Sequence, residues 1–305
     1  MSRMRPILNA LLRAVEKPYL SWEKNPERLA RVFERKAKLL FPSPKGSRFE
    51  DCSLGHGGRS LSTIHVVPQV AKTGPLILYF HGGGYVFGSA RTHRSMVARL
   101  VHETSLPAYL PDYRLAPAAP FPSAVEDALL AYQAVMAHPA GVILGGDSAG
   151  GGLALSLLGE ILRQGLSKPV GVFCFSPLTD LSFSGDSLRK NARSEAVLPA
   201  SRVQDMAQLY LNGVDPKTPT ASPLYADFTG APPVWLAVSD QEILLDDARR
   251  MTEKLQQDGV EVTKVLEHDL PHVWPLFEAY LPEARATLHA VSKWISSLPS
   301  AASER

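Results

Sequence analysis

The chain has 305 residues, 45% of them hydrophobic and 20% charged, with 25 Pro, 22 Gly and two cysteines, Cys52 and Cys174. This composition excludes collagen-like, coiled-coil and disordered classes, a disulfide framework and a cysteine-rich zinc site, and the length suits one large α/β unit with a core that needs no staples. The formal net charge is only +2, but residues 1–48 hold 12 Lys and Arg against 4 Glu, a balance of +8 that leaves −6 for the rest.

The basic N-terminal stretch MSRMRPILNALLRAVEKPYL begins like a signal peptide, but Asn9 and Arg13 interrupt its short apolar run and no small-residue cleavage site follows. It reads as mature sequence, and with two cysteines that fit a reducing compartment the expected location is cytoplasmic. The charge excess reads as the solvated faces of amphipathic helices. No basic stripe is interleaved with aromatics, so nucleic acid is not an expected partner. No stretch reaches the roughly 18 apolar residues of a membrane span.

Residues 6–22 and 26–40 carry apolar positions at helical spacing (Leu8, Leu11, Leu12, Val15; Leu29, Val32, Phe33, Leu40). Asn25-Pro26 divides them as a cap followed by a first-turn proline, and 41–47 is a Pro/Gly/Ser linker. Apolar β-rich runs then follow at 76–80, 106–111, 141–146, 170–177, 234–239 and 262–267. Helical patterns lie between them at 92–104, 123–138, 149–163 and 246–258, with a last helix at 283–297. Continuous apolar strands joined by helices predict a mainly parallel sheet covered on both faces. More than 50 residues separate the run ending at Pro177 from the one starting at Val234. A plain crossover is shorter, so this insertion, with a helix over 200–212, is expected above the strands' C-terminal ends. Together with the N-terminal helices it would form a cap.

The chemistry is concentrated in GGDSAGGG, residues 145–152. Gly146-Asp147-Ser148-Ala149-Gly150 is a G-x-S-x-G pentapeptide between an apolar strand and a helix, the setting that pushes a serine out above a sheet on a sharp turn. The helix N-terminus below it favours developing negative charge. A phosphate-binding loop would need a Gly-Lys-Ser/Thr, which is lacking. His81-Gly82-Gly83-Gly84 follows the 76–80 run; its glycines let backbone N–H groups approach a ligand, so Gly83, Gly84 and Ala149 are the expected donors to an oxyanion.

A serine nucleophile needs a base, and the base an orienting carboxylate, in the chain order Ser, acid, His. Of the later histidines, His289 falls within a helix and His268 at a strand end. His272, in Leu270-Pro271-His272-Val273-Trp274 after the last strand, is the expected base. The acid must follow the 234–239 strand. Asp240, Glu242, Asp246 and Asp247 all qualify, and the last two could equally cap the next helix.

His81-Gly82-Gly83-Gly84, Pro111-Asp112-Tyr113-Arg114-Leu115-Ala116-Pro117, Gly146-Asp147-Ser148-Ala149-Gly150-Gly151, Ser176-Pro177-Leu178-Thr179-Asp180 and the His272 loop together resemble the bacterial hormone-sensitive-lipase-like esterases (family IV), from roughly residue 50 to 295. The resemblance implies an α/β-hydrolase fold: a mainly parallel eight-stranded sheet flanked by helices, with a helical cap. Residues 1–45 and 181–230 would form the cap, and 46–180 with 231–305 the catalytic core. It also implies carboxylic ester hydrolysis without cofactor or metal, short to medium acyl chains, and a homodimer paired through edge strands. The family's acid lies in a D-x-L-x-D pattern about nine residues after the strand-opening proline. Here that position is Glu242, in Glu242-Ile243-Leu244-Leu245-Asp246, with Glu in place of Asp; Asp240 is the second candidate. Ala118 also stands where the family often has Glu, a departure expected to touch the oxyanion loop's surroundings more than the chemistry.

Tyr85, Phe87 and Trp274 are candidates for pocket walls, and Val197, Leu198, Met206 and Leu209 for an acyl site, each equally suited to plain packing. The same machinery could serve amide or carbamate hydrolysis. The scaffold can also host a non-catalytic receptor, though such receptors usually lose a member of the Ser/acid/His set. The basic N-terminal helices could dock a lipase on anionic lipid, against which stands the need for their apolar faces to close the cap.

Overall fold

The computed structural model describes residues 2–299. The predicted 6–22 helix is one continuous rod: α1 (Met4–Leu11), a π-helical turn (Leu12–Glu16) and α2 (Lys17–Trp22). In α3 (Pro26–Leu40) the Asn25 side chain accepts a hydrogen bond from the Arg28 amide at 3.0 Å and Pro26 takes the first turn, the cap read from sequence.

Two strands then appear that the residue pattern did not reveal. β1 (Arg48–His56) and β2 (Arg59–Val67) form an antiparallel hairpin around Gly57-Gly58, both at positive φ, as a tight two-residue turn requires. β1 lies mostly exposed at the sheet's edge, so no burial pattern imposes an apolar alternation on it. The remaining elements follow the predicted alternation: β3 (Leu76–Phe80), α4 (Ala90–Thr104), β4 (Ala108–Pro111), α5 (Ser123–Val135), β5 (Val142–Asp147), α6 (Ala149–Gln164) and β6 (Gly171–Phe175). The insertion carries α7 (Ser187–Lys190) and α8 (Val203–Leu211). Then come β7 (Val234–Ser239), α9 (Leu245–Gln257), β8 (Val262–Glu267) and α10 (Pro282–Ser297).

The eight strands form one sheet in the order β1-β2-β4-β3-β5-β6-β7-β8, parallel from β4 to β8. Every residue of β3, β5, β6 and β7 is buried, which explains their uninterrupted apolar runs. Successive side chains point to opposite faces. Ile77 and Tyr79 pack with Val97 and Leu100 of α4 and Leu288 and Val291 of α10. Leu78 and Phe80 join the other layer, with Ala128 of α5 and Leu155 of α6. Strand order and parallel direction bring the C-terminal ends of β3, β5, β7 and β8 to one edge, where such sheets place their sites.

Above that edge the N-terminal helices meet the insertion. Arg202 is buried and donates from Nη1 to the carbonyls of Ser21 (3.2 Å) and Glu23 (3.4 Å). Lys17 donates to the carbonyls of Ala192 (2.7 Å) and Glu195 (2.8 Å), and Arg13 to that of Ser194 (2.6 Å). Among the described residues no helix is long and apolar enough to cross a membrane.

Candidate active site

Ser148 sits between β5 and α6 at φ 50° and ψ −122°, a conformation a non-glycine residue holds only when its surroundings over-determine it. Its amide donates to the Phe175 carbonyl, and its own carbonyl accepts from Gly152 and Leu178. The turn closes only because its neighbours are small: a Cβ on Gly150 would lie 2.1 Å from the Phe80 carbonyl oxygen.

His272 lies in the loop after β8, with Nε2 3.0 Å from Ser148 Oγ and Nδ1 2.6 Å from Glu242 Oε2. All three side chains are buried. Glu242 lies three residues past β7; its other oxygen, Oε1, accepts from the Ser239 amide at 2.8 Å and the Ser176 hydroxyl at 2.9 Å. Burial alone would lower the His272 pKa, but the hydrogen bond and charge of Glu242, joined by Glu195 and Asp147, outweigh it and hold the imidazole above its ordinary value.

The other carboxylates point elsewhere. Asp240 Oδ2 pairs with His268 Nδ1 at 2.6 Å. Asp246 accepts from the Ser187 amide, and Asp247 from the amides of Thr179 and Asp180. His289 is an exposed helix residue facing Glu103.

Gly83 follows β3 at φ 120°, and a Cβ there would lie 2.0 Å from the Phe87 carbonyl oxygen. Its carbonyl ties the loop down by accepting from the Val86 and Phe87 amides. Among the described residues the amides of Gly83, Gly84 and Ala149 donate to no protein acceptor. Gly83, Gly84, Ser148 and His272 face one cavity of about 170 Å³.

His81 and Asp147 lie behind this loop rather than in it. Asp147 accepts from the Tyr79 hydroxyl at 2.8 Å and lies 3.3 Å from His93 Nε2. Burial pushes its pKa up, but His93 and Tyr79 outweigh that and hold it below the ordinary carboxylate value. The Gly82 amide nitrogen lies 3.3 Å from the same His93 Nε2. His81 is pushed down to about 3 by burial and by His93, and Tyr113 stacks on it and donates to its carbonyl.

Sequence reasoning named Ser176 only as part of a motif, without a role, and did not name His93, Asn191 or Glu195. Asn191 Nδ2 donates to the carbonyls of Asp240 (2.9 Å) and Glu242 (2.8 Å). Buried Glu195 accepts from the Val197 amide at 2.8 Å and the Ile243 amide at 3.1 Å. The insertion thus grips the loop that carries Glu242.

The cavity walls come from both segments above the sheet edge: Leu12, Leu29 and Phe33 from the N-terminal helices and Val197, Leu198 and Met206 from the insertion, with Phe87 from the loop after β3. Leu209, by contrast, is exposed, and Tyr85 and Trp274 are core residues, one stacked on Tyr210 and the other donating to Thr287. Among the described residues no three His, Cys, Asp or Glu side chains gather as they would around a metal ion.

A family profile for the alpha/beta hydrolase fold matches residues 77–276. The chain belongs to this family. Within it the chain is a hormone-sensitive-lipase-like member. It is 35% identical over 236 residues to an acetyl-hydrolase of Streptomyces hygroscopicus (76% of this chain, 79% of the relative). It is 35% identical over 232 residues to an esterase of Acinetobacter venetianus (75% and 77%). The crystal structure of an esterase from the bacterial hormone-sensitive lipase family superposes with TM-score 0.89 at 34% identity, covering 98% of this chain and 99% of that one. That of EstE5 gives TM-score 0.91 at 34% identity over 97% and 98%.

Proposed function

We propose that this hydrolase is a serine carboxylesterase acting on short- to medium-chain esters, with Ser148, His272 and Glu242 as its catalytic residues. The observation that carries the reading is the buried hydrogen-bonded chain from Ser148 Oγ through His272 to Glu242. Ser148 attacks the ester carbonyl while His272 Nε2 takes its proton. Glu242 fixes the tautomer with the proton on Nδ1 and stabilises the imidazolium. The amides of Gly83, Gly84 and Ala149 receive the oxyanion; each such donor is worth about 2.7–4 kcal/mol of barrier. His272 then protonates the departing alcohol, later removes a proton from the water that attacks the acyl-enzyme, and returns that proton to Ser148 Oγ as the carboxylic acid leaves.

Residues 2–45 and 181–230 serve as the cap over a core of 46–180 and 231–299, and they supply most of the acyl-site wall; residues 1 and 300–305 lie outside the described residues. A cavity of about 170 Å³ is close to the roughly 150 Å³ that encloses benzene. That room accommodates an acyl group of about six carbons.

The test is a p-nitrophenyl ester series from acetate to palmitate on the wild type, Ser148→Ala and Glu242→Gln. Activity should peak at the short end and vanish in Ser148→Ala. In Glu242→Gln it should fall about 10³–10⁴-fold, as when a triad carboxylate loses its charge. A folded wild type inactive on every ester, or full activity in Ser148→Ala, would overturn the reading.

A further inference from the structure

The N-terminal helices carry two apolar faces, and only one is used by the fold. Leu12, Leu20 and Leu29 turn inward over the cavity. Met4, Ile7, Leu11 and Val15, spaced by three or four residues along one side of the rod, stay 45%, 61%, 57% and 54% exposed, and Trp22 at its end is 75% exposed. Leu39 and Leu40 close α3 in the same condition. Closing the cap therefore does not consume the apolar surface of this segment. Monomeric proteins seldom leave such a stripe uncovered without use.

The charge of the segment that carries the stripe says what covers it. Residues 1–48 carry a balance of +8 against −6 for the remainder. Among the described residues Arg3, Lys24, Arg35, Lys38 and Lys45 make no ion pair. A second copy docking stripe to stripe would bring two strongly cationic segments together, which electrostatics opposes. A negatively charged lipid surface satisfies both features: apolar side chains and a terminal tryptophan enter the headgroup boundary while Lys and Arg meet anionic headgroups. We infer that the outer face of residues 3–40 docks reversibly on anionic lipid. Leu40, half exposed at the end of α3, also lines the cavity. The docking is independent of the hydrolysis reading.

The test is flotation of the full chain with vesicles of phosphatidylcholine alone and of phosphatidylcholine mixed with phosphatidylglycerol, at low and high salt. Two double variants accompany the wild type, Ile7→Ser/Leu11→Ser and Arg35→Glu/Lys38→Glu, with melting curves to show that each is folded. These exposed positions should leave the melting temperature unchanged. Wild type should float with the mixed vesicles and lose about tenfold or more of its binding on neutral vesicles, at high salt and in either double variant. No flotation with the mixed vesicles, equal binding to neutral ones, or folded variants that bind like wild type would each overturn the inference. So would a dimer in sedimentation velocity that Ile7→Ser/Leu11→Ser dissolves, since a second copy would then own the face.

Discussion

Ser176 donates its hydroxyl hydrogen to Oε1 of Glu242 at 2.9 Å, which leaves Oε2 free to hold His272. The same hydroxyl oxygen accepts the amide of Val273, the residue next to the imidazole. One side chain thus sets the distance between the acid loop and the histidine loop. Ser176 reaches this position at φ 48°, a backbone strain of about 1–3 kcal/mol. Replacement by glycine relieves the strain but loses the hydroxyl; replacement by alanine loses the hydroxyl alone. A hydrogen bond to a charged group is worth about 1.5–3 kcal/mol. Both variants should therefore lower kcat about tenfold or more with KM little changed, and Ser176→Gly should melt above Ser176→Ala. Unchanged kcat in either would show that Glu242 does not need this anchor.

Asp240 provides the control for the acid. It is two residues from Glu242 but faces His268, which is largely exposed. Its Oδ1 accepts the Asp269 amide at 3.0 Å, an interaction that the oxygen of asparagine can keep. Asp240→Asn should change kcat/KM by less than about threefold, the scale of an exposed charge pair. A loss as severe as that of Glu242→Gln would transfer the orienting role to Asp240.

How far the site was legible depended on whether its parts are neighbours in sequence. Ser148 and Gly83 announce themselves because the turn and the loop are built locally, by residues small enough for backbone to pass within van der Waals distance. His272 was legible from its place after the last strand. Glu242 was not: it is one of four carboxylates between Asp240 and Asp247, and only the family pattern separated them, because what distinguishes it is contact with Ser176 and Ser239. Asn191 and Glu195 were invisible for the same reason, since each touches the acid loop some 50 residues away in sequence. In the fold, the parallel strands were readable because burial on both faces forces apolar runs, whereas the exposed edge of β1 imposes no such pattern.

Glu195 links the insertion between β6 and β7 to the pH dependence. Its charge is one of the groups that hold His272 above its ordinary pKa. Burial, and then the nearby Glu242, raise its own pKa, against the pull of His272. The base works only when neutral, so the acid limb of kcat/KM reports the imidazole. Glu195→Gln removes a negative neighbour, lowers the His272 pKa and should move that limb to lower pH. Each carboxylate oxygen of Glu195 accepts one backbone amide. Glutamine offers one acceptor for the two, and an orphaned amide costs about 1–3 kcal/mol of stability. An unmoved acid limb in a folded Glu195→Gln would mean that its charge does not reach the imidazole.

Asp247 makes stability itself pH-dependent. Burial, with the neighbouring Asp180, pushes its pKa up to about 7 despite the amides of Thr179 and Asp180 and the charge of Arg250. An unfolded aspartate titrates near 3.9. Between about pH 4 and 7 the folded chain therefore holds a proton that the unfolded chain has released, and folding stability falls as pH rises through that window. Asp247→Asn removes the titration, and its single amide oxygen can still accept both backbone amides that now share Oδ2. Relative to wild type, the variant should gain melting temperature from pH 4 up to about pH 7 and level off above it, measured by calorimetry in one buffer series from pH 4 to pH 8. A constant difference between the two proteins across that range would show that Asp247 is ionised throughout, with Arg250 at 3.7 Å sufficient to hold its charge.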